Sequence, residues 1–135
     1  MRAKGAPWLR LTFVCAQLLE QTGISKDQVD LFEINEGASR ARPLSASPAH
    51  THAAFASMGV YCEQKLEIPA DKFNVNGGAC ALGHPLGATG ARLVVTILNE
   101  LERRNQHVGV VSMCIGLGMG AGESCSASLA SSRHG

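Results

Sequence analysis

Three polar residues lie where catalytic side chains are commonly displayed, just after a strand or turn and beside glycine: Asn35, His84 and Cys114. An imidazole titrates near neutral pH and can accept a proton, and a thiol can do so once its surroundings lower its pKa. Each residue also has a structural alternative, because asparagine caps helices, histidine can satisfy a turn, and cysteine can be a small core group. The occurrence of all three favours an active site.

The segment before Asn35 has the pattern of a helix followed by a strand. Gly23 is placed to end the helix, and Ser25 and Gln28 have the spacing of a capping box that opens a short turn. Residues 31–35 then predict a buried strand that ends in Asn35. The apolar residues that recur at helical spacing on one face are Leu11, Val14, Cys15, Leu18 and Leu19.

The segments around His84 and Cys114 predict two more helices and another strand. A helical pattern ends before Pro69, residues 71–76 are a weaker strand candidate, and glycine is dense over 77–90. A long helix then precedes a β-branched strand at 108–113, which delivers Cys114 into a glycine-rich turn at 116–122. Alternating strands and helices predict an α/β layered fold. The helical faces are formed by Phe55, Met58, Cys62 and Leu66 and by Ala91, Val94, Val95, Leu98 and Leu101.

The composition narrows the function classes. A chain of 135 residues with 45% hydrophobic residues has the size and character of one globular domain. A net charge of +1 does not favour nucleic-acid binding, and no apolar run reaches the roughly 20 residues of a membrane span. The five cysteines form no C-x-x-C pair, which argues against a disulfide framework and a zinc site. His50 and His52 lack a third metal ligand nearby, so no metal is expected.

Three sequence blocks around the candidate residues carry a family resemblance. Asn35-Glu36 and the later Ala54-Phe55-Ala56 form a split N-E-A-F-A block, residues 74–92 read NVNGGACALGHPLGATGAR, and residues 114–120 read CIGLGMG. Over residues 22–120 the chain resembles the C-terminal domain of thiolases, acyltransferases that make or cleave 3-ketoacyl-CoA. The stretches RLVVTILNELERR and VGVVSM are most similar to the peroxisomal type.

The resemblance implies a fold and a set of site residues. Residues 1–135 would form a thiolase C-terminal domain, a layered α-β-α half with a mixed sheet and covering helices. His84 would accept the proton of an acyl-carrying cysteine thiol, and Cys114 would exchange a proton with CoA or with the acetyl α-carbon. Asn35 would hold a water that forms an oxyanion hole with the histidine, and the Gly116 N–H would belong to a second hole. Phe55 would line the acyl pocket, although its spacing fits a core residue equally well.

The resemblance also implies partners and a compartment. CoA and acyl-CoA would be the substrates in fatty-acid β-oxidation, in the thiolytic or the condensing direction, without a further cofactor. The remaining thiolase half or an intact thiolase subunit would be the protein partner, and the complete enzyme would be a homo-oligomer. The family's type points to the peroxisome; because no targeting signal is recognised in residues 1–135, the cytoplasm and the mitochondrion stay open as expectations.

Three departures from the family pattern limit what the chain alone is expected to do. No cysteine has the family's nucleophile context, a Cys followed closely by Ser-Gly. Residues 37–53 are an irregular insertion that splits the first block, and the tail 123–135 is polar where thiolases have an apolar strand. We therefore expect no thiolysis from the isolated chain.

Two other functions remain open from the sequence. The glycine runs at 83–90 and 116–120 suggest a nucleotide-binding module, but their spacing is neither G-x-G-x-x-G nor a P-loop. The chain could also be a non-catalytic partner or truncated remnant that binds an intact thiolase. Co-purification with an intact thiolase would favour the latter.

Overall fold

The computed structural model describes residues 9–36, 56–116 and 119–127. Phe55, the insertion 37–53 and residues 128–135 of the tail lie outside this part. The helices are α1 (Leu9–Thr22), α2 (Ala56–Leu66), α3 (Ala79–Leu82) and α4 (Leu86–Arg104), and the strands are β1 (Leu31–Ile34), β2 (Val108–Gly116) and β3 (Met119–Ser126).

The strands form one mixed sheet in the order β1-β2-β3. β1 pairs in parallel with β2, with Ile34 opposite Ser112, and β2 pairs antiparallel with β3. Successive side chains of a strand point to opposite faces, so Phe32 packs in one apolar cluster and Leu31 in another. Helices α1 and α2 contribute to the first cluster and α4 to the second. The predicted α-β-α layering with a mixed sheet is confirmed.

Two glycines of β3 let α1 approach the sheet closely. A Cβ at Gly120 or Gly122 would lie 2.9 Å from a methyl group of Val14, closer than carbon atoms can pack. The prediction of a glycine-rich turn over 116–122 is wrong in this respect, because residues 119–126 form a strand. The small residues of β3 show no alternation of apolar and polar side chains, so the strand is not predicted. Pairing with β2 satisfies their backbone N–H and C=O groups.

The strand candidate at 71–76 is a second correction. Residues Ala70–Lys72 form a 3-10 turn, and only Phe73 makes a bridge, to Phe32. The Asn74 side chain then takes the place of a neighbouring strand, since its Oδ1 accepts the Ile34 N–H at 2.8 Å and its Nδ2 donates to the Ile34 carbonyl at 2.9 Å. A side chain therefore satisfies the backbone hydrogen-bonding groups of Ile34 at this edge of β1. Hydrophobic periodicity does not predict such a contact.

Local signals at the start of the chain are confirmed. Gly23 has φ +70° and follows the last residue of α1, a conformation that glycine adopts without strain. The Ser25 N–H donates to Gln28 Oε1 at 2.8 Å, as a capping box requires. None of the described helices combines the length and the apolar character that crossing a bilayer demands.

Candidate active site

Asn35 lies at the carboxyl end of β1, where ligands meet parallel strands in α/β folds. Its N–H donates to the Ser112 carbonyl at 2.8 Å, which continues the pairing of β1 with β2 by one residue. Its side chain is fully buried. Cys114 follows Ser112 by two residues, so its backbone reaches the same edge of the sheet; the Cys114 side chain lies outside the described part.

A short helix and a glycine direct the chain from β1 toward His84. The Ala79 N–H at the start of α3 donates to the Glu36 carboxylate, which ties this helix to the end of β1. Gly83 ends α3 with φ +89°, and Pro85 directly precedes α4. His84 thus lies between two chain segments that are fixed independently.

The side chains of Asn35 and His84 are in contact. Asn35 Nδ2 lies 3.4 Å from His84 Nδ1 and 3.5 Å from His84 Nε2. Because these distances are long and nearly equal, the amide nitrogen contacts the ring without a dedicated hydrogen bond to either ring nitrogen. The two residues could act together on one polar atom placed beside the ring.

The His84 ring has a closer partner on α4. His84 Nδ1 lies 2.7 Å from the Thr89 hydroxyl oxygen, and Thr89 is almost fully buried. Burial and then the positive charge of Arg92 lower the pKa of His84 below the ordinary value of 6.5. The imidazole is therefore neutral at pH 7, the state in which it can accept a proton.

An ion pair lies beneath the site. Arg92 Nη1 is 3.1 Å from Glu33 Oε2, and the Glu33 side chain is 3% exposed. Burial raises the pKa of Glu33 to about 7, against the opposing effect of Arg92. This pair fixes α4 to β1 two residues before Asn35.

The described residues contain part of the predicted constellation. Asn35 and His84 are brought together, and Gly116 is the last residue of β2, opposite Met119. Phe55 lies outside the described residues. Sequence reasoning missed Thr89, whose signal was its place inside the G-H-P-x-G-x-[ST] block five residues after the histidine.

Other chemistries find less support. Among residues 9–36, 56–116 and 119–127, His, Cys, Asp and Glu nowhere gather in threes as a metal site would need. Strand β3 follows the glycines at 116–118, whereas a dinucleotide-binding loop leads into a helix. The described geometry favours acid-base chemistry at His84.

Comparison with known proteins decides the family. Residues 9–126 match the sequence model of the family described as "Thiolase, C-terminal domain". The chain belongs to the thiolase family. This thiolase domain is 55% identical over 104 residues to the peroxisomal 3-ketoacyl-CoA thiolase B of Mus musculus, covering 76% of the chain and 20% of that relative. It is 52% identical over 104 residues, with the same coverage, to the peroxisomal 3-ketoacyl-CoA thiolase of Homo sapiens.

Solved thiolase structures share the fold. The peroxisomal 3-ketoacyl-CoA thiolase of Saccharomyces cerevisiae is 42% identical with a TM-score of 0.71, over 90% of this chain and 30% of that one. Human mitochondrial 3-ketoacyl-CoA thiolase is 33% identical with a TM-score of 0.73, over 90% of this chain and 27% of that one. The chain spans about a fifth of the length of the peroxisomal relatives that it matches.

Proposed function

We propose that this chain supplies the proton-transfer half of a 3-ketoacyl-CoA thiolase active site, which cleaves 3-ketoacyl-CoA with CoA or runs the reverse condensation. The contact between Asn35 and His84 carries the proposal, because two motif residues 49 positions apart meet at the carboxyl end of β1. CoA and acyl-CoA are the substrates, and the reaction needs no other cofactor.

Each predicted site residue has a role in this proposal. His84 accepts the proton of an acyl-carrying cysteine on the complementary thiolase half, and its lowered pKa keeps it ready to do so at neutral pH. His84 and a water held by Asn35 together stabilise the thioester oxygen as charge develops on it. Cys114 exchanges the second proton, the Gly116 N–H serves the second oxyanion hole, and Phe55 lines the acyl pocket.

A groove beside α4 supports a partner on this side of the sheet. It encloses about 420 Å³ between α4, β2 and β3, and its lining includes Val94, Val95 and Met113. Val95 is 59% exposed, which is high for an aliphatic residue beside other apolar groups. The groove therefore offers an apolar surface against which a helix can pack.

The architecture of a solved relative supports a helix of the other core domain as the occupant of this groove. The Saccharomyces cerevisiae enzyme is described as a five-layered α-β-α-β-α structure built from two core domains of identical topology. Two α-β-α domains give five layers only when one helical layer is shared. We place α4 in that shared layer, with a helix of the other core domain in the groove. A dimeric peroxisomal thiolase supports homo-oligomerisation of the complete protein, and the peroxisomal relatives support that compartment.

A chimeric enzyme tests the function. In the Saccharomyces cerevisiae peroxisomal thiolase, the matching segment is replaced by residues 9–126 of this chain, once with and once without residues 37–53, and thiolysis of acetoacetyl-CoA is measured. The version without 37–53 should turn over, because it restores the contiguous N-E-A-F-A block. His84→Ala and Cys114→Ala should each lower kcat by about 100-fold or more.

The controls separate catalysis from folding. Lys26→Ala, at a half-exposed position outside the site, should leave the chimera active, and the isolated 135-residue chain should give no thiolysis. Turnover that survives His84→Ala would contradict the proposal. A folded chimera without turnover, together with co-purification of the chain with an intact thiolase, would instead indicate a non-catalytic partner.

A further inference from the structure

We propose that Thr89 is a positioning residue that holds the His84 imidazole in the tautomer protonated at Nδ1 and so leaves Nε2 as the proton acceptor. The inference rests on the proposed function of His84 as the base. It adds a residue on α4 that acts through the imidazole without touching the substrate.

The first step is the pair of contacts that the Thr89 hydroxyl makes. Its oxygen lies 2.7 Å from His84 Nδ1 and 3.2 Å from the Pro85 carbonyl oxygen. A hydroxyl has a single proton and can donate it to only one of these groups. The other contact can be a hydrogen bond only if the hydroxyl oxygen accepts in it.

The second step decides which way the proton points. A carbonyl oxygen can only accept, so the contact with Pro85 is a hydrogen bond only when Thr89 donates to it. Thr89 then accepts from His84, and Nδ1 must carry the proton. If Thr89 donated to Nδ1, two oxygen atoms without a proton between them would face each other at 3.2 Å. Only the Nδ1–H tautomer makes both contacts favourable.

The third step is the rigidity of the Thr89 position. Thr89 is 1% exposed, so water does not compete for its hydroxyl. Its N–H donates to the same Pro85 carbonyl at 3.1 Å in the first turn of α4. A threonine side chain in a helix commonly bonds back to the carbonyl four residues earlier, which restricts its χ1 rotation. The hydroxyl is therefore a fixed reference for the ring.

The contact with Asn35 leaves the assignment to Thr89. Asn35 Nδ2 lies 3.4 Å from His84 Nδ1 and 3.5 Å from Nε2, so it does not distinguish the two tautomers. In the Nδ1–H tautomer that Thr89 favours, Nε2 carries a free lone pair. The same lone pair is the group that takes a thiol proton. Thr89 would thus raise the fraction of His84 that is ready to act as a base.

Nitrogen NMR of the imidazole tests the assignment in the full 135-residue chain. In ¹⁵N-labelled protein at a pH above the His84 titration, Nδ1 should show a protonated, pyrrole-like shift and Nε2 an unprotonated, pyridine-like shift. Thr89→Ser should retain this pattern, because it keeps the hydroxyl. Thr89→Val keeps the shape but loses the hydroxyl, and both nitrogens should move toward averaged shifts. Thr96→Val on the same helix should leave them unchanged.

Each outcome bears on the proposal. A wild-type ring protonated at Nε2, or a Thr89→Val spectrum identical to that of the wild type, would overturn it. Should Thr89→Val unfold the chain, the wild-type and Thr89→Ser spectra decide alone. If the wild-type ring is protonated at Nδ1 but the chimera shows no thiolysis, the proposed function is contradicted. The role of Thr89 in fixing the tautomer then still holds.

Discussion

The carboxylate of Glu36 fills the space that a side chain at position 78 would need. A Cβ on Gly78 would lie 1.9 Å from Glu36 Oε1, while the other carboxylate oxygen accepts the Ala79 N–H. A Cβ on Gly59 of α2 would likewise lie 2.9 Å from Glu36 Cγ. Two glycines thus admit one carboxylate that joins the end of β1 to the segment leading to His84.

Gly78→Ala should destabilise the fold by about 1–3 kcal/mol, because the new methyl group overlaps the Glu36 carboxylate. Urea unfolding gives the free-energy change. Gly87→Ala is the matched control, since no atom lies within 4 Å of its added Cβ and alanine favours a helix by up to about 1 kcal/mol. In a Glu36→Ala background the effect of Gly78→Ala should shrink. An equal effect in both backgrounds would show that the Glu36 carboxylate is not the group that the new methyl group meets.

The sequence predicts the elements whose apolar periodicity is strong and misses those built from small or polar residues. α1, β1, α4 and β2 follow from apolar spacing because each buries one stripe or a whole strand. Apolar spacing does not predict β3, because glycines occupy the positions that pack closely against Val14. Apolar spacing also does not predict the contact at the edge of β1, where the Asn74 side chain accepts the backbone N–H of Ile34.

The sequence likewise predicts only some of the residues of the candidate site. The motif blocks predict Asn35 and His84 as site residues, and their contact is the part of the predicted site that the described side chains contain. Thr89 and Glu36 act through hydrogen bonds whose partners are five residues away along the chain in one case and 43 in the other. Such contacts depend on three-dimensional geometry, which spacing alone does not reveal.

Stability should fall as pH rises from about 4.5 to 7 through the contribution of Glu33. Burial raises the pKa of Glu33 from 4.5 in the unfolded reference to about 7 in the folded chain. Between these values the folded state holds a proton that the unfolded state lacks, so the contribution favours folding at low pH and is lost as pH rises through 7. The free-energy difference between wild type and Glu33→Gln should change by up to about 3 kcal/mol over this window.

Urea unfolding at a series of pH values measures this contribution. His84 titrates in both proteins, so its effect cancels in the difference. Glu67→Gln, at a position whose side chain is 83% exposed, should reproduce the wild-type pH profile. A constant difference between wild type and Glu33→Gln from pH 4 to 8 would show that burial does not control this carboxyl.

Val95→Lys should weaken association with the complementary thiolase half, because it places a charge in the apolar groove beside α4. In the chimera without residues 37–53, where both halves belong to one chain, the variant should lower the temperature of cooperative unfolding. Phe13→Ser is the matched control, since Phe13 is 64% exposed on α1, which packs on the other face of the sheet. If both variants unfolded at the temperature of the parent, the shared layer would not include α4.

Asp30→Asn should reduce stability at neutral pH and have no effect in strong acid. Asp30 Oδ2 accepts the N–H groups of His107 and Val108, both at 2.9 Å, and so holds the start of β2 beside β1. Partial burial alone would raise the pKa of Asp30, but these hydrogen bonds outweigh it and lower the pKa below 3.8. The contribution is therefore present above pH 3.8 and disappears as pH falls through the lower folded-state value. Because a charged acceptor bonds more strongly than a neutral amide, the loss at pH 7 should be about 1 kcal/mol.

The control is Asp27→Asn, at an exposed position on the turn before β1, which should change stability by less than about 0.5 kcal/mol at any pH. An Asp30→Asn deficit that persisted at pH 2 would show that shape, rather than charge, makes Asp30 important.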